Sequence, residues 1–164
     1  MKTLIGPRQT ILVTVRGMAD IYGTRKIIDN VLSVDWHMPC SFDHFFYAIS
    51  IKKTHLTYQL ILQSKIFVVN FIPDNMEDAV LFCGTHSGLH IDKFKEAKLF
   101  KLDSGVVDCC KIAGALGYLE CEVAYEHDCG DHAVFFGKVI HKEVKQDSKR
   151  LFHKYDNLFT TTND

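Results

Sequence analysis

The chain has no run of apolar residues long enough to span a bilayer. Its opening segment, Met1 to Thr10, contains Lys2, Pro7 and Arg8 and lacks the apolar core of a secretory signal. Neither charge dominates: 19 basic against 20 acidic side chains leave a formal net charge of -1, so no global field draws the chain to nucleic acid or to an anionic membrane. Internal repeats, low-complexity tracts and linker-like shifts of composition are absent, and 164 residues suit one domain over 1–164 with a single sizeable core. The expectation is a cytoplasmic globular protein with no membrane or nucleic-acid partner.

Two chemical signatures are also missing. No glycine fingerprint of a dinucleotide-binding βαβ unit occurs, and no Cys-x-x-Cys pair completes a structural zinc pattern. The cysteines at 40, 83, 109, 110, 121 and 129 are irregularly spaced, and adjacent Cys109 and Cys110 suit no common disulfide framework, so thiols are expected. Cys83-x-x-His86-x-x-x-His90 has a spacing that can surround zinc or iron, with Cys109, Cys110, Cys121 and Cys129 as further sulfur donors, and stands as an alternative reading.

What is present reads mainly as strand. Thr10 to Val15 is β-branched and is expected to end at Arg16-Gly17; Asn30 to Trp36 alternates with period two; Phe45 to Ile51 and Phe67 to Ile72 are more continuously apolar. Short helices are expected over Thr57 to Gln63, over Met76 to Phe82 with Asp74 and Asn75 as caps and Gly84 as terminator, and over Asp92 to Ala97. Tyr118 to Tyr125 and His132 to Ile140 flank Asp128-Cys129-Gly130-Asp131, which is turn chemistry, and so predict a hairpin. Many strands with a few short helices predict a mainly β protein, an antiparallel barrel with helical insertions.

An ordered set of segments resembles the flavin reductase-like, FMN-binding split-barrel family and its flavoredoxin branch. The set runs from Pro7-Arg8 and Ile11 to Thr14, through Asn30 to Trp36, Met38 to Asp43, Ala48 to Ile51, His55 to Thr57 and Phe67 to Asn70. It continues with Cys83-Gly84-Thr85-His86-Ser87-Gly88, Asp92 to Phe94, Leu119 to Cys121, Gly130 to His132, Phe136 to Val139 and Leu158 to Thr161, and so covers nearly the whole chain in the family's order. His44 and Phe45 replace two family prolines, and Leu89 replaces a common arginine; both changes bear on reductant and partner specificity.

The resemblance implies an FMN cofactor and a homodimer with the flavin near its interface. A flavin needs an anion site, donors for its pyrimidine edge and walls that exclude water. Ser50, Lys52, Lys53, Thr54 and Thr57, at a strand end leading into a helix, form a workable phosphate cradle, although a solvated Lys-Lys turn is the plainer alternative. Trp36, the only tryptophan, is placed beside the ring by the resemblance, while a strand-end tryptophan can equally be core packing. Asn30 is expected on the same strand face as Trp36, with an amide for a flavin edge, and Pro39, Cys40, Ser41 and Phe42 would supply backbone donors and a hydroxyl. Lys93 resembles the family lysine near the ring, His132 the histidine that reaches the cofactor, and Phe159 the aromatic that closes over it, with Tyr155 as its substitute.

The implied activity is transfer of hydride or electrons from NADH or NADPH to the flavin and onward, as in a flavin reductase or flavoredoxin. The alternatives are an FMN-holding electron carrier with a protein redox partner and no direct nicotinamide reaction, and a cofactor-free interaction module on the same barrel.

Overall fold

Ile11, Leu12, Val13, Thr14 and Val15 are all fully buried, because the strand that carries them separates two apolar layers. Ile11, Val13 and Val15 face one cluster with Val34, Ile49, Ile51, Leu60, Ile61, Phe67, Val69 and Phe135. Leu12 faces a second with Val31, Ile72, Val80, Cys83, Phe94 and Ile112. Side chains alternate along a strand, so a continuous apolar run is what a two-sided burial requires.

A computed structural model describes residues 4–162. In chain order it contains β1 (Arg8–Gln9), β2 (Ile11–Ile21), β3 (Thr24–Val34), β4 (His37–Ser41), β5 (Phe46–Lys52), α1 (Leu56–Ser64), β6 (Ile66–Phe71) and a 3-10 turn (Asp74–Met76). There follow α2 (Glu77–Thr85), α3 (Lys93–Glu96), β7 (Lys101–Asp103), β8 (Cys110–Ile112), β9 (Gly117–Cys129), β10 (His132–Val144), β11 (Leu151–Tyr155) and β12 (Leu158–Thr161).

Seven strands form one antiparallel sheet in the order β3-β2-β6-β9-β10-β5-β4. Its two outer strands, β3 and β4, are consecutive in the chain and joined only through Asp35 and Trp36. The sheet therefore curls until its edges approach, and Trp36 stands at the seam, its carbonyl accepting from the Ser50 N–H at 2.8 Å. The fold is a split β-barrel with short helices, as expected. α1 packs on β2, where a Cβ on Gly17 would come within 3.0 Å of Leu60 Cδ2. β1, β11 and β12 form a small separate sheet, tied to the barrel through Thr10 N–H to Leu151 O at 2.9 Å. No helix among the described residues is long and apolar enough to cross a membrane.

Several local expectations change. β2 runs past Arg16-Gly17 to Ile21, since pairing with β3 continues to Ile21 and Gly17 is needed for the approach of α1. β3 begins at Thr24 and ends at Val34, before Trp36. Asp74 lies in the 3-10 turn and no side chain caps α2, while Gly84 lies inside α2, which ends at Thr85. Asp92, read as the first helical residue, instead caps α3, its carboxylate accepting from Phe94 N–H at 3.0 Å and Lys95 N–H at 3.2 Å. The expected hairpin is present but longer, with Gly130 at φ +75° in its two-residue turn. All six cysteines are free thiols.

Candidate functional site

Two neighbouring clefts gather most of the residues singled out above. The first lies between β3, the start of α1 and the connection from α2 to α3, has a volume of about 210 Å³, and is lined by Asn30, Thr54, His55, Thr57, Gly84 to Gly88 and Lys93. Asn30 and Thr57 are buried, and the Asn30 amide donates to the Thr57 hydroxyl at 2.9 Å. The Asn30 carbonyl oxygen faces Gly88, where a Cβ would lie only 2.2 Å from it. The loop after α2 can therefore close on Asn30 only with glycine at this place.

Lys93 is 4% exposed. Its ammonium donates to Val31 O at 2.9 Å and to Cys83 O at 2.7 Å, which leaves one of its three N–H groups. Burial pulls its pKa down to about 8, with the nearby Cys83 thiol acting the other way. The same burial pushes Cys83 up to about 11, so this sulfur stays a thiol. His55, at the N-cap of α1, has a buried Nδ1 without a hydrogen-bond partner among the described residues. Its pKa is lowered by burial, then by the charges of Lys93, Lys52 and His132. A helix N-terminus, two cationic side chains and an unpaired imidazole nitrogen make this cleft suited to an anion.

The second cleft, about 270 Å³, runs along the barrel seam and is lined by Arg8, Asp35, Trp36, Met38, Ser50 and Val134 among others. Trp36 is 46% exposed, its ring 4.9 Å from that of His132, which is held by Asp131 at 2.7 Å from Nδ1. Arg8 also lies over Trp36, 6.0 Å from the ring centre. His132 faces Lys52 across the β5–β10 ladder and acts on His55, so the two clefts adjoin at the end of β5.

The placement differs from the sequence reading in several respects. Asn30 and Trp36 do not share a strand face, because β3 ends between them and the chain turns into β4. One N–H of the Asn30 amide is engaged by Thr57, and Asn30 lines the anion cleft. Ser50 lines the seam cleft, not the anion cleft. The Lys53 ammonium is bound by Asp128 on the β9–β10 hairpin, which leaves Lys52 as the unpaired lysine of the pair among the described residues. Pro39 lines a separate apolar groove with Phe45, Tyr47 and Phe71. Cys40 lies exposed at a bulge of β4 between Pro39 and Ser41, Phe42 is 97% exposed in the turn that follows, and Ser41 Oγ donates to Asp43 O at 2.7 Å. Phe159 packs against His153, ring centres 5.1 Å apart, and borders the second core cluster; Tyr155 is exposed and lines the pocket beyond Asp35.

Sequence reasoning passed over His55, Gly88 as a contact, and Arg8; only their positions inside resembling segments marked them. No three His, Cys, Asp or Glu side chains come together to hold a metal among the described residues. Cys83 is buried in the core while His86 stacks on Phe82 at 4.0 Å and His90 is exposed, so the Cys83-His86-His90 spacing does not converge.

The split barrel thus carries a cleft suited to an anion beside an exposed aromatic seam, and comparison specifies the family. The flavin reductase like domain model matches residues 7–161, and the chain belongs to that family. An uncharacterised protein of Pyrococcus abyssi is 33% identical over 119 residues, 73% of this chain and 68% of that protein. Another from Archaeoglobus fulgidus is 31% identical over 112 residues, 68% of this chain and 63% of its own length. Among solved structures, an FMN-binding protein from Thermus thermophilus, crystallised with p-hydroxybenzaldehyde, superposes with a TM-score of 0.82 at 24% identity, covering 97% of this chain and 88% of that one. An NADH:FAD oxidoreductase from Streptomyces globisporus gives 0.82 at 19% identity, with the same coverage of 97% and 88%. These superpositions establish the shared fold.

Proposed function

We propose that the chain binds FMN as a homodimer, takes electrons from NADH or NADPH and passes them to an acceptor, as a flavin reductase or flavoredoxin does. The observation that carries this reading is the adjacency of the Asn30–Thr57–Lys93 cleft to the Trp36–His132 pair. An anion site and an aromatic wall lie side by side, as a phosphate-bearing flat cofactor requires. The residues fit the group: His55 Nδ1 has no hydrogen-bond partner among the described residues, and Gly88 keeps the loop close enough to wall the cleft.

Bound FMN supplies the redox chemistry, accepting hydride from the nicotinamide and releasing electrons onward. The protein supplies binding, orientation and electrostatics. The α1 N-terminus with Thr54, Thr57, His55 and Lys52 holds the phosphate. Lys93, fixed by two carbonyls, presents a buried positive charge that favours negative charge developing on a nearby ring. Trp36 and His132 shield the ring from water on one side.

The homodimer is supported by an uncovered apolar face. Met38 on β4 and Tyr125 on β9 are exposed at the two ends of one cross-strand row, with half-buried Phe136 and buried Ala48 between them. Such a face is self-complementary about a two-fold axis, and a second copy would cover it.

The test is the visible spectrum of purified protein before and after anaerobic NADH or NADPH. A bound flavin that bleaches supports the reductase. Bleaching only by dithionite would mean a carrier reduced by a protein donor. A colourless protein that refuses added FMN would overturn the reading.

A further inference from the structure

The seam cleft continues past Trp36 into a pocket of about 240 Å³ lined by Gly6, Arg8, Asp35, His153, Lys154 and Tyr155, with Trp36 as the shared wall. Neither cation here, Arg8 or Lys154, has an ion-pair partner among the described residues. The carboxylate nearest to hand, Asp35, is already engaged: Oδ1 accepts from Thr10 Oγ1 at 2.6 Å and Oδ2 from His153 Nδ1 at 2.5 Å. His153 is held from its other side as well, Nε2 donating to Asp156 O at 2.8 Å. Asp156 is the one further carboxylate of the lining, so two carboxylates stand against two cations, and Asp35 is already taken up by Thr10 and His153.

The position of Arg8 is built in rather than incidental. β1 pairs with β11 so that Arg8 stands opposite His153, and His153 is pinned to Asp35 at the end of β3. The small sheet is thereby locked onto the barrel seam, and the guanidinium is carried over Trp36 at 6.0 Å from the ring centre. A planar guanidinium with five donors matches a phosphate in two parallel hydrogen bonds, and Lys154 adds a point charge.

We propose that Arg8 and Lys154 clamp a phosphate group of a nicotinamide dinucleotide in the pocket beside Trp36. This rests on the reading of the chain as a flavin-dependent reductase. A nicotinamide that reaches a flavin lying against Trp36 and His132 must leave its charged half close by, and this pocket opens from the same wall. Arg8 and Lys154 act on the reductant and not on the flavin phosphate, which belongs to the cleft around Thr57. The group held is either the diphosphate common to both dinucleotides or the extra 2′-phosphate of NADPH.

The experiment compares wild type with Arg8→Gln, Arg8→Lys and Lys154→Gln, each loaded with FMN. It measures the FMN Kd by fluorescence and the KM and kcat for NADH and NADPH. Losing a charge-assisted bond to phosphate is expected to raise the reductant KM about tenfold in Arg8→Gln, with a smaller rise in Lys154→Gln and partial recovery in Arg8→Lys. The FMN Kd is expected to stay within about twofold, a readout that a merely structural role for Arg8 would disturb. Equal rises for both dinucleotides assign the diphosphate; a rise for NADPH alone assigns the 2′-phosphate. Unchanged KM values in Arg8→Gln and Lys154→Gln overturn the clamp while the reductase reading stands. A wild type that binds FMN but oxidises neither dinucleotide overturns both.

Discussion

The Asn30 side chain donates its amide N–H to the Thr57 hydroxyl at 2.9 Å, joining the end of the barrel's outer strand to the first turn of α1. Its other amide atom, the oxygen, lies where a Cβ on Gly88 would come within 2.2 Å. One asparagine thus sets the distance between strand, helix and loop, and the anion cleft is the space these three enclose.

Gly88→Ala should spread that space. The added carbon would lie 2.2 Å from Asn30 Oδ1 and 3.0 Å from its Cγ, so either the loop retreats or the Asn30–Thr57 bond breaks. FMN affinity is expected to fall at least tenfold, about 1.4 kcal/mol. Fluorescence titration measures it, and a Kd within about twofold of wild type would show that the loop does not shape the site.

Lys93 is expected to make flavin binding depend on pH above neutrality. Its ammonium is charged below about 8 and neutral above it, because burial lowers the pKa from the ordinary 10.5. The folded value is depressed, so any stability this group adds is present above 10.5 and is lost as pH falls through about 8. For an anionic ligand the sign reverses: affinity is highest below 8 and falls above it, by at most about tenfold per pH unit for one linked proton. Kd values from pH 7.5 to 9.5 should show this slope in wild type and none in Lys93→Met.

His37 is expected to make the fold acid-sensitive. Its Nε2 donates to Gln9 O at 2.8 Å, so its Nδ1 accepts from Tyr47 O–H at 2.7 Å, which requires the neutral ring. Burial lowers its pKa below the ordinary 6.5, with Gln9 O and Asp35 opposing. The contribution is full above pH 6.5 and is lost as pH falls through the lowered value. Denaturant unfolding at pH 7.5 and 5 should reveal the loss. Tyr47→Phe removes the donor and should cost about 1–2 kcal/mol at pH 7.5, its acid-dependent part being smaller than in wild type.

Asn70 should be among the costliest single polar sites. Buried in β6, it donates to Leu12 O at 3.0 Å and to Thr14 Oγ1 at 3.2 Å, and accepts from Ile112 N–H at 2.8 Å, so that β2, β6 and β8 meet on one amide. Asn70→Leu leaves buried backbone groups unpaired, an expected loss of about 2–4 kcal/mol in denaturant melts. A loss under about 0.5 kcal/mol would mean that water replaces the amide without cost.

The proposed dimer face is tested by Met38→Glu, at its exposed β4 end, and by Phe42→Glu in the turn that follows β4. Sedimentation should show a dimer in wild type and a monomer in the variants. A wild-type monomer at micromolar concentration would remove the need for a partner at this face.

What the sequence determined by itself is local. The β-branched apolar run of Ile11 to Val15 and the Gly130-Asp131 turn each follow from steric and hydrogen-bonding preferences within a few residues, and each is present in the fold. The grouping of Asn30, Thr57 and Lys93 was legible only through ordered resemblance to a family, since no spacing links positions on three different elements. Tertiary structure alone decided that β3 stops before Trp36, that Lys53 turns to Asp128 while Lys52 has no ion-pair partner among the described residues, and that Arg8 pairs with His153 and shares a pocket with Lys154 and Trp36. The physical reason is the range of the interaction. Periodicity and turn chemistry act along the chain, whereas pairing order, the barrel seam and the charge balance of a cleft come from contacts between distant segments, selected by burial of two apolar layers at once.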